Sequence, residues 1–162
     1  MCSVREVILT RGMVAVVDDA DYESVNSFNW CAAWNNHTKT FYAMSHMNLD
    51  GKRITVRMHR LILGIDNPKI QGDHRNGDTL DNRRDNLRIA SNSENGCNRK
   101  RRTDNSSGFK GVRFYIPNKK WLARIGIKGK RKHLGYFLTR EEAYIAYKTA
   151  ALSMHGEFAR VD

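Results

Sequence analysis

Apolar and polar residues alternate along the N-terminal third of the chain at the spacing of strands. Residues 4–17, VREVILTRGMVAVV, are rich in β-branched residues on both sides of Arg11-Gly12, which predicts two short strands around a turn. Asp18 or Asp19 is expected to cap a short helix after them. Further strands are predicted over residues 30–34, 41–44 and 53–58, with a hairpin turn at Asp50-Gly51. The pattern indicates a small antiparallel sheet with Trp30 and Trp34 in its core.

The middle of the chain changes from an apolar stripe to an almost wholly polar stretch. MHRLILG, residues 58–64, predicts a short helix ending at a glycine, and His59 within it is interpreted as a structural histidine rather than an active-site neighbour. The next stretch, GDHRNGDTLDNRRDNLRIASNSENGCN, spans residues 72–98 and has almost no apolar residues before Leu87. A segment this polar cannot form a core by itself, so we expect a turn, a surface or a site.

The secondary structure of this polar stretch can still be predicted. Residues 86–90 alternate and are expected to form a strand that pairs back on residues 70–74. Ser91 and Glu94 form a capping box, which predicts a helix that begins at Asn92 and runs into the basic residues 98–102. The predicted order is therefore strand, loop, strand, helix.

The C-terminal third has the clearest pattern, which follows a predicted linker over residues 103–108. Alternating residues predict three antiparallel strands over residues 112–116, 121–127 and 131–137. A capping box from Thr139 to Glu142 and alanines at helical spacing predict a helix ending at Gly156. One face of the sheet is predicted to lie under this helix, and the other carries Arg113, Arg124, Lys128, Arg131 and His133. The whole chain is predicted to be an α+β protein.

The positive charge is concentrated in the C-terminal third. The net charge is +11, and residues 1–58 hold six Lys or Arg and six Asp or Glu, residues 59–104 ten and seven, and residues 105–162 twelve and four. Such a gradient points to a polyanionic partner, with nucleic acid first. The three cysteines, Cys2, Cys31 and Cys97, are too widely spaced to predict a disulfide framework or a cysteine zinc site.

The polar stretch contains the residue types of a phosphodiesterase site. The Asp73 carboxylate and an asparagine oxygen are hard ligands suited to Mg²⁺ or Mn²⁺. A neutral imidazole at His74 accepts a proton from water near pH 7. Asn86 is the candidate that holds this imidazole in one tautomer, with Asn82 as an alternative. A plain polar turn is the competing interpretation of the same residues.

Residues 58–99 resemble the HNH endonuclease motif, in the branch found in phage and intron-associated homing endonucleases. The resemblance rests on the spacing DH-x11-N-x8-N from Asp73, on the following NLR-IA-S-SEN, and on MHRLILG upstream. It implies a ββα-metal motif over about residues 70–102 that binds one divalent ion, Mg²⁺ or Mn²⁺. By position, His74 corresponds to the general base, Asn86 to the residue that orients it, and Asp73 and Asn95 to the metal ligands. No zinc is expected, because the chain lacks the C-x-x-C pairs of zinc-binding HNH proteins.

The C-terminal pattern, SSGFKGVRF followed by KKWLARIGIKGKRKHLGYFLTREEAYIAYKTAALSMHGEFA, is similar to the Apetala/ethylene-response-factor type of DNA-binding domain. The resemblance covers about residues 105–160 and implies a three-stranded sheet that docks in the major groove of double-stranded DNA. Arg124 stands where plant members usually have Glu, and His133 where the family often has Trp. The basic and aromatic residues carried over as DNA contacts are Lys110, Arg113, Tyr115, Lys120, Arg124, Arg131 and His133.

Together these patterns predict an HNH nuclease domain over residues 1–102, a linker over 103–108 and a DNA-binding domain over 109–162. The predicted function is a metal-dependent DNA endonuclease of the homing type. The alternatives are a non-catalytic, sequence-specific DNA-binding or regulatory protein and an RNA-binding protein. No apolar run is long enough to span a membrane, so the chain is expected to stay inside the cell, in the cytoplasm of a bacterial host if phage-encoded.

Overall fold

The computed structural model describes residues 3–127 and 129–161, so Cys2 and Lys128 lie outside the described residues. The chain divides into two compact units, Met1–Ser91 and Asn92–Asp162. Both units combine short antiparallel sheets with helices, which confirms the predicted α+β class. The predicted domain bounds of 1–102 and 109–162, with a linker at 103–108, stay a prediction.

The first unit contains three small antiparallel sheets and two short helices. Its strands are β1 (Val4–Ile8), β2 (Val14–Asp18), β3 (Cys31–Asn35), β4 (Thr40–Leu49), β5 (Lys52–Arg57), β6 (Gln71–His74) and β7 (Leu87–Ala90), and its helices are α1 (Asp19–Asn26) and α2 (Met58–Ile62). The sheets have the strand orders β1-β2, β3-β4-β5 and β6-β7. These elements agree with the strands, turns and helices predicted from the alternation of apolar residues.

Apolar residues from all of the first-unit helices and sheets form one core. Val17, Val25 and Met58 are fully buried at its centre. Trp30 is also buried and donates its indole N–H to the Val25 carbonyl at 2.7 Å. The prediction that Trp34 lies in the core is wrong, because this side chain is 47% exposed. It lies near the end of β3, where its indole N–H is bonded to the exposed Asn36.

The second unit contains one three-stranded antiparallel sheet under a long helix. Its elements are α3 (Asn92–Cys97), β8 (Val112–Tyr115), β9 (Lys120–Ile127), β10 (Lys130–Phe137) and α4 (Arg140–His155). The three strands are antiparallel, as predicted, and their order in the sheet is β10-β9-β8. Thr139 and Glu142 form the predicted capping box at the start of α4, and Gly156 follows its last residue.

The core of the second unit lies between α4 and one face of the sheet. Ala123 and Ile125 of β9 are buried against Ala143, Tyr147 and neighbouring small residues of α4. This confirms that the alanine face of the helix covers the sheet. Since the cross-strand register alternates, the side chains of Arg113, Arg124 and Arg131 project from the opposite face.

Two segments next to this core depart from the simple pattern. The helix α3 ends at Cys97, so it is shorter than predicted. Residues 105–109 form a compact turn in which the buried Ser107 hydroxyl contacts Asn105, Phe109 and Val112. Part of the predicted linker is therefore ordered and contacts the start of β8.

Candidate functional site

The hairpin β6-β7 carries the two residues at the centre of the predicted chemistry. Asp73 and His74 are the last residues of β6, and both are buried, at 5% and 4% exposed. The register pairs Asp73 with Arg88 and His74 with Leu87. Neighbouring residues of a strand point to opposite faces, so the hairpin presents the carboxylate and the imidazole on its two sides.

An asparagine in the loop after β6 fixes the orientation of the His74 imidazole. Nε2 of His74 lies 3.3 Å from Oδ1 of Asn82, and Asn82 is itself 1% exposed. The amide group of Asn82 donates to the Leu80 carbonyl at 3.1 Å, which leaves its oxygen facing the ring. An oxygen acceptor requires a proton on Nε2, so the neutral imidazole has Nδ1 as its basic nitrogen.

Asn86, predicted as the residue that holds His74, has its side-chain bonds within the loop. Its amide donates to the Asp81 carbonyl at 2.7 Å and its oxygen accepts from the Asn76 N–H at 3.0 Å. The Arg75 N–H donates to the Asn86 carbonyl at 2.8 Å as well. Asn86 therefore closes the loop that carries Asn82, and the geometry at the ring favours Asn82, the alternative named above.

The loop between β6 and β7 is anchored to the N-terminal hairpin. Val16 of β2 donates to the Leu80 carbonyl at 2.9 Å and accepts from the Asn82 N–H at 2.7 Å. Arg84 makes a two-pronged contact with the buried Asp21 of α1, at 2.8 and 2.6 Å. These bonds fix the backbone on both sides of Asn82. The N-terminal strands and α1 thus position the asparagine that orients His74.

Asp73 is one partner of a buried ion pair. Nε and Nη2 of Arg88 lie 2.8 and 2.7 Å from Oδ2 of Asp73, and both side chains are 6% exposed. Two charges buried together are tolerated only when they are paired and hydrogen-bonded. Any cation held by Asp73 would share the carboxylate with this guanidinium.

A second histidine and a tyrosine surround the His74 ring. The centroids of His59 and His74 are 5.0 Å apart, and the Tyr42 ring lies 5.8 Å from His59 and 6.2 Å from His74. His59 also packs on the backbone of β6, because a side chain at Gly72 would overlap its ring. His59 is thus buried and structural, as interpreted from the sequence, yet it is also a direct neighbour of His74.

Both histidines are uncharged near neutral pH. Burial, followed by the charges of His74 and nearby arginines, lowers the pKa of His59 to about 3. Burial also lowers the pKa of His74, while the bond to Asn82 and the carboxylates of Asp73, Asp78 and Asp81 act in the opposite direction. A neutral imidazole with a defined basic nitrogen is the state in which a histidine accepts a proton.

The remaining residue of the predicted metal set lies on α3, in the second unit. Asn95 is half-buried within this helix. Lys110 holds the end of the same helix, because its ammonium group donates to the carbonyls of Cys97, Arg99 and Arg160 at 2.7, 2.8 and 3.2 Å. Of these three carbonyls, the one of Cys97 belongs to the last residue of α3.

The Asp73 carboxylate is a hard oxygen ligand of the kind that Mg²⁺ binds, with water and phosphate completing the metal's shell. Asn95 carries an amide oxygen on α3, and the role of both residues as metal ligands stays a prediction. Within residues 3–127 and 129–161, no three His, Cys, Asp or Glu side chains gather around a common point. Both cysteines of this part of the chain are free thiols.

The outer face of the C-terminal sheet, opposite α4, combines guanidinium groups with aromatic rings. Burial and then the positive charges of Arg131 and Arg113 lower the pKa of Arg124, which places three like charges close together. The rings of Tyr115 and Tyr136 are 5.3 Å apart, and the Arg113 guanidinium lies 5.7 Å from the Tyr115 ring. Lys120, Arg131 and His133 are exposed on the same face. Lys110 differs from the other predicted DNA contacts. Its ammonium group donates to three backbone carbonyls of the protein.

Comparison with known proteins identifies the class of the central segment. Residues 56–97 match the model of the HNH endonuclease family, and this range includes α2, β6, β7 and α3. This match supports an HNH nuclease, a class of enzyme that acts on DNA, in the central segment of the chain.

A curated relative matches a little over half of the chain. The chain is 33% identical over 88 residues to Protein 3.8 of Escherichia phage T7, in a match that covers 54% of this chain and 72% of the phage protein. The chain belongs to the family of this phage protein, whose name states no activity. No solved structure matches the chain. In the described part of the chain, no helix is both long and apolar enough to span a membrane.

Sequence reasoning missed three contacts of the site. The Asp73–Arg88 ion pair could have been predicted, because pairing residues 70–74 with 86–90 places these opposite charges across from each other on the two strands. The contact between Asn82 and His74 depends on hydrogen bonds from the loop to the backbone of Val16. No pattern within the loop sequence indicates those bonds. The three carbonyls on Lys110 come from positions up to 50 residues away, so no spacing rule could have found them.

Proposed function

We propose that the protein is a metal-dependent endonuclease of the homing type, which hydrolyses phosphodiester bonds in double-stranded DNA. The observation that carries the proposal is the bond between His74 and Asn82 within the segment that matches the HNH family. With Nε2–H bonded to Asn82, the neutral tautomer of His74 has Nδ1 as its basic nitrogen, at the end of β6.

In this proposal His74 accepts a proton from the attacking water through Nδ1, while its Nε2–H remains bonded to Asn82. General-base assistance of this kind contributes about 10²–10⁴-fold in rate. Asp73 and Asn95 are the residues that would hold the divalent ion. When bound, the ion stabilises negative charge on the scissile phosphate and on the leaving oxygen.

The C-terminal sheet supplies site selection in this proposal. Its outer face presents Arg113, Arg124 and Arg131 with tyrosine rings, and the chain has no Asp or Glu between Asp104 and Glu141. Such a face suits the major groove in the manner of Apetala/ethylene-response-factor domains, because arginines read guanine edges and bind phosphates. Lys120 and His133 extend the same surface.

A plasmid assay tests the catalytic half of the proposal. Supercoiled DNA should be nicked or linearised with Mg²⁺ or Mn²⁺ and stay intact with EDTA. His74→Ala should lose cleavage by at least about 10²-fold while still retarding DNA in a gel. A wild-type protein that binds DNA but leaves it intact with either metal would instead support a non-catalytic DNA-binding protein.

The role of Asn82 has a separate signature in the pH profile. Because its bond raises the pKa of His74, Asn82→Ala should move the acid limb of the cleavage rate to lower pH. Asn86→Ala is the matched comparison, since Asn86 bonds to the loop backbone. If Asn86→Ala alone moves the acid limb, then Asn86 rather than Asn82 orients the base.

A further inference from the structure

We propose that one face of the β3-β4-β5 sheet is a second DNA-binding surface, which holds the phosphate backbone beside His74. This surface, the N-terminal basic face, consists of Tyr42, His46, Asn48, Arg53, Thr55 and Arg57. The inference rests on the proposed function, because it assigns the bound polyanion to the nuclease substrate.

The zero net charge of residues 1–58 conceals a separation of charge. Five of the six acidic residues lie between Glu6 and Glu23, on or next to the N-terminal hairpin and α1. Between Glu23 and Asp66, the only acidic residue is Asp50, in the turn of the β4-β5 hairpin. The basic residues Lys39, Lys52, Arg53 and Arg57 fall in this second part. The sheet is therefore a positive region within a segment, residues 1–58, that is neutral by composition.

The strand register collects the arginines of this region on one side. Arg57 pairs with Met44, Thr55 with His46 and Arg53 with Asn48, so these residues share a face. Arg53 and Arg57 are exposed, and neither has a carboxylate partner among the described residues. The adjacent Lys52 pairs with Leu49 and belongs to the opposite face.

The N-terminal basic face is continuous with the catalytic histidine through Tyr42. The Arg57 guanidinium lies 5.9 Å from the Tyr42 ring, and that ring lies 6.2 Å from the His74 ring. A phosphate bound at Arg57 would be a near neighbour of a phosphate positioned at His74.

The length of the face suits a DNA strand. Arg53 and Arg57 are four residues apart on β5, or about 13 Å at the rise of a strand. Duplex DNA rises about 3.4 Å per base pair along its axis, so the two guanidiniums span about four base pairs measured along that axis. His46 and Thr55 lie between them and Asn48 lies opposite Arg53, and polar side chains of these kinds commonly contact phosphate oxygens. The occupant that fits is the duplex backbone flanking the cut.

Binding of a random-sequence 30-base-pair duplex to the full chain tests the surface. Fluorescence anisotropy in EDTA, from 50 to 200 mM salt, gives the affinity and its salt dependence without cleavage. Arg53→Ala should lower the salt slope by about 0.9 and weaken binding roughly fivefold at 0.15 M salt, as expected for one lost phosphate contact. Lys52→Ala removes the same charge from the neighbouring position, and it should leave the slope unchanged.

The outcomes separate this inference from the nuclease assignment. Equal slopes for Arg53→Ala, Lys52→Ala and wild type would overturn the N-terminal basic face, even if the plasmid assay shows cleavage. A lower slope for Arg53→Ala alone would support it, even if wild type fails to cut DNA. Unchanged thermal unfolding of both variants establishes that the comparison concerns binding, and Arg53→Lys should restore the slope if the lost charge is the cause.

Discussion

The arginines of the β6-β7 hairpin and those of the C-terminal sheet carry the same charge in opposite surroundings. Arg83, Arg84 and Arg88 each contact a carboxylate, from Asp81, Asp21 and Asp73 respectively. Arg113, Arg124 and Arg131 have no carboxylate partner among the described residues. The first group holds the fold of the site, whereas the second remains available to an external polyanion. Net charge counts the two groups equally, so composition alone cannot tell them apart.

The largest expected effect on stability is at Arg88. Arg88→Met removes the guanidinium from the buried Asp73 carboxylate, which should reduce the free energy of unfolding by about 3–5 kcal/mol. Chemical denaturation at pH 7 measures this change. Arg102→Met is the matched control, because its pair with Asp104 is 84% and 64% exposed and should contribute little. Similar losses for the two variants would erase the distinction between structural and surface arginines.

The next effect concerns His59, a basic residue that the fold keeps uncharged. Its pKa is about 3 in the folded chain and about 6.5 when unfolded, so the unfolded state binds more protons between these values. Stability from this group is complete above pH 6.5 and is lost as the pH falls toward 3, by about 2 kcal/mol at pH 5. The free energy of unfolding of the His59→Gln variant should therefore fall by about 2 kcal/mol less than that of wild type between pH 7 and pH 5. An identical loss in wild type and variant, by denaturation at both pH values, would contradict a buried neutral His59.

A smaller effect is expected at Arg84, which anchors the loop to α1. Arg84→Ala removes both guanidinium bonds from Asp21, whose side chain is 8% exposed, so the expected loss of stability is about 1–2 kcal/mol. Arg5→Ala is the control, because Arg5 pairs with the exposed Asp19. Thermal unfolding compares the two, and equal melting temperatures would mean that the loop does not depend on this anchor.

The smallest effect on stability is predicted for the C-terminal sheet. Arg113→Ala should change the free energy of unfolding by less than about 0.5 kcal/mol, because the exposed guanidinium loses a contact with the Tyr115 ring but no ion pair with a carboxylate of the described residues. It should nevertheless lower affinity for duplex DNA and reduce the salt slope by about 0.9 per lost phosphate contact. A large loss of stability with unchanged DNA binding would reverse the assignment of the two arginine groups.

Local patterns were enough to predict most of the secondary structure. The capping box of Thr139 and Glu142, the alternation in β8 to β10 and the turn at Asp50-Gly51 each depend on neighbouring residues, and all are present. The positions of Asp73 and His74 at the end of a strand also followed from local pattern. The role of each of these residues in catalysis stays a prediction.

Contacts between segments that are distant in the sequence could not be predicted from local sequence patterns. Asn82 faces His74 because β2 holds the loop backbone at Val16, a constraint invisible within the loop itself. Trp34 has the alternation of a core residue, yet β3 extends past the core at that point. Lys110 looks like a basic DNA contact in sequence, and its carbonyl partners exist only once the second unit has folded.

The anchoring of α3 by Lys110 constrains how this gene could exchange parts with others. The HNH match ends at residue 97, whereas the second compact unit begins at Asn92. A crossover between Ser91 and Asn92 keeps both units whole but divides the nuclease motif. A crossover in residues 103–108 keeps the motif whole but separates α3 from Lys110, which bonds to the carbonyl of its last residue. Chimeras that replace the C-terminal sheet should therefore retain a lysine equivalent to Lys110. The nuclease motif and the C-terminal sheet are therefore expected to be inherited together rather than exchanged separately.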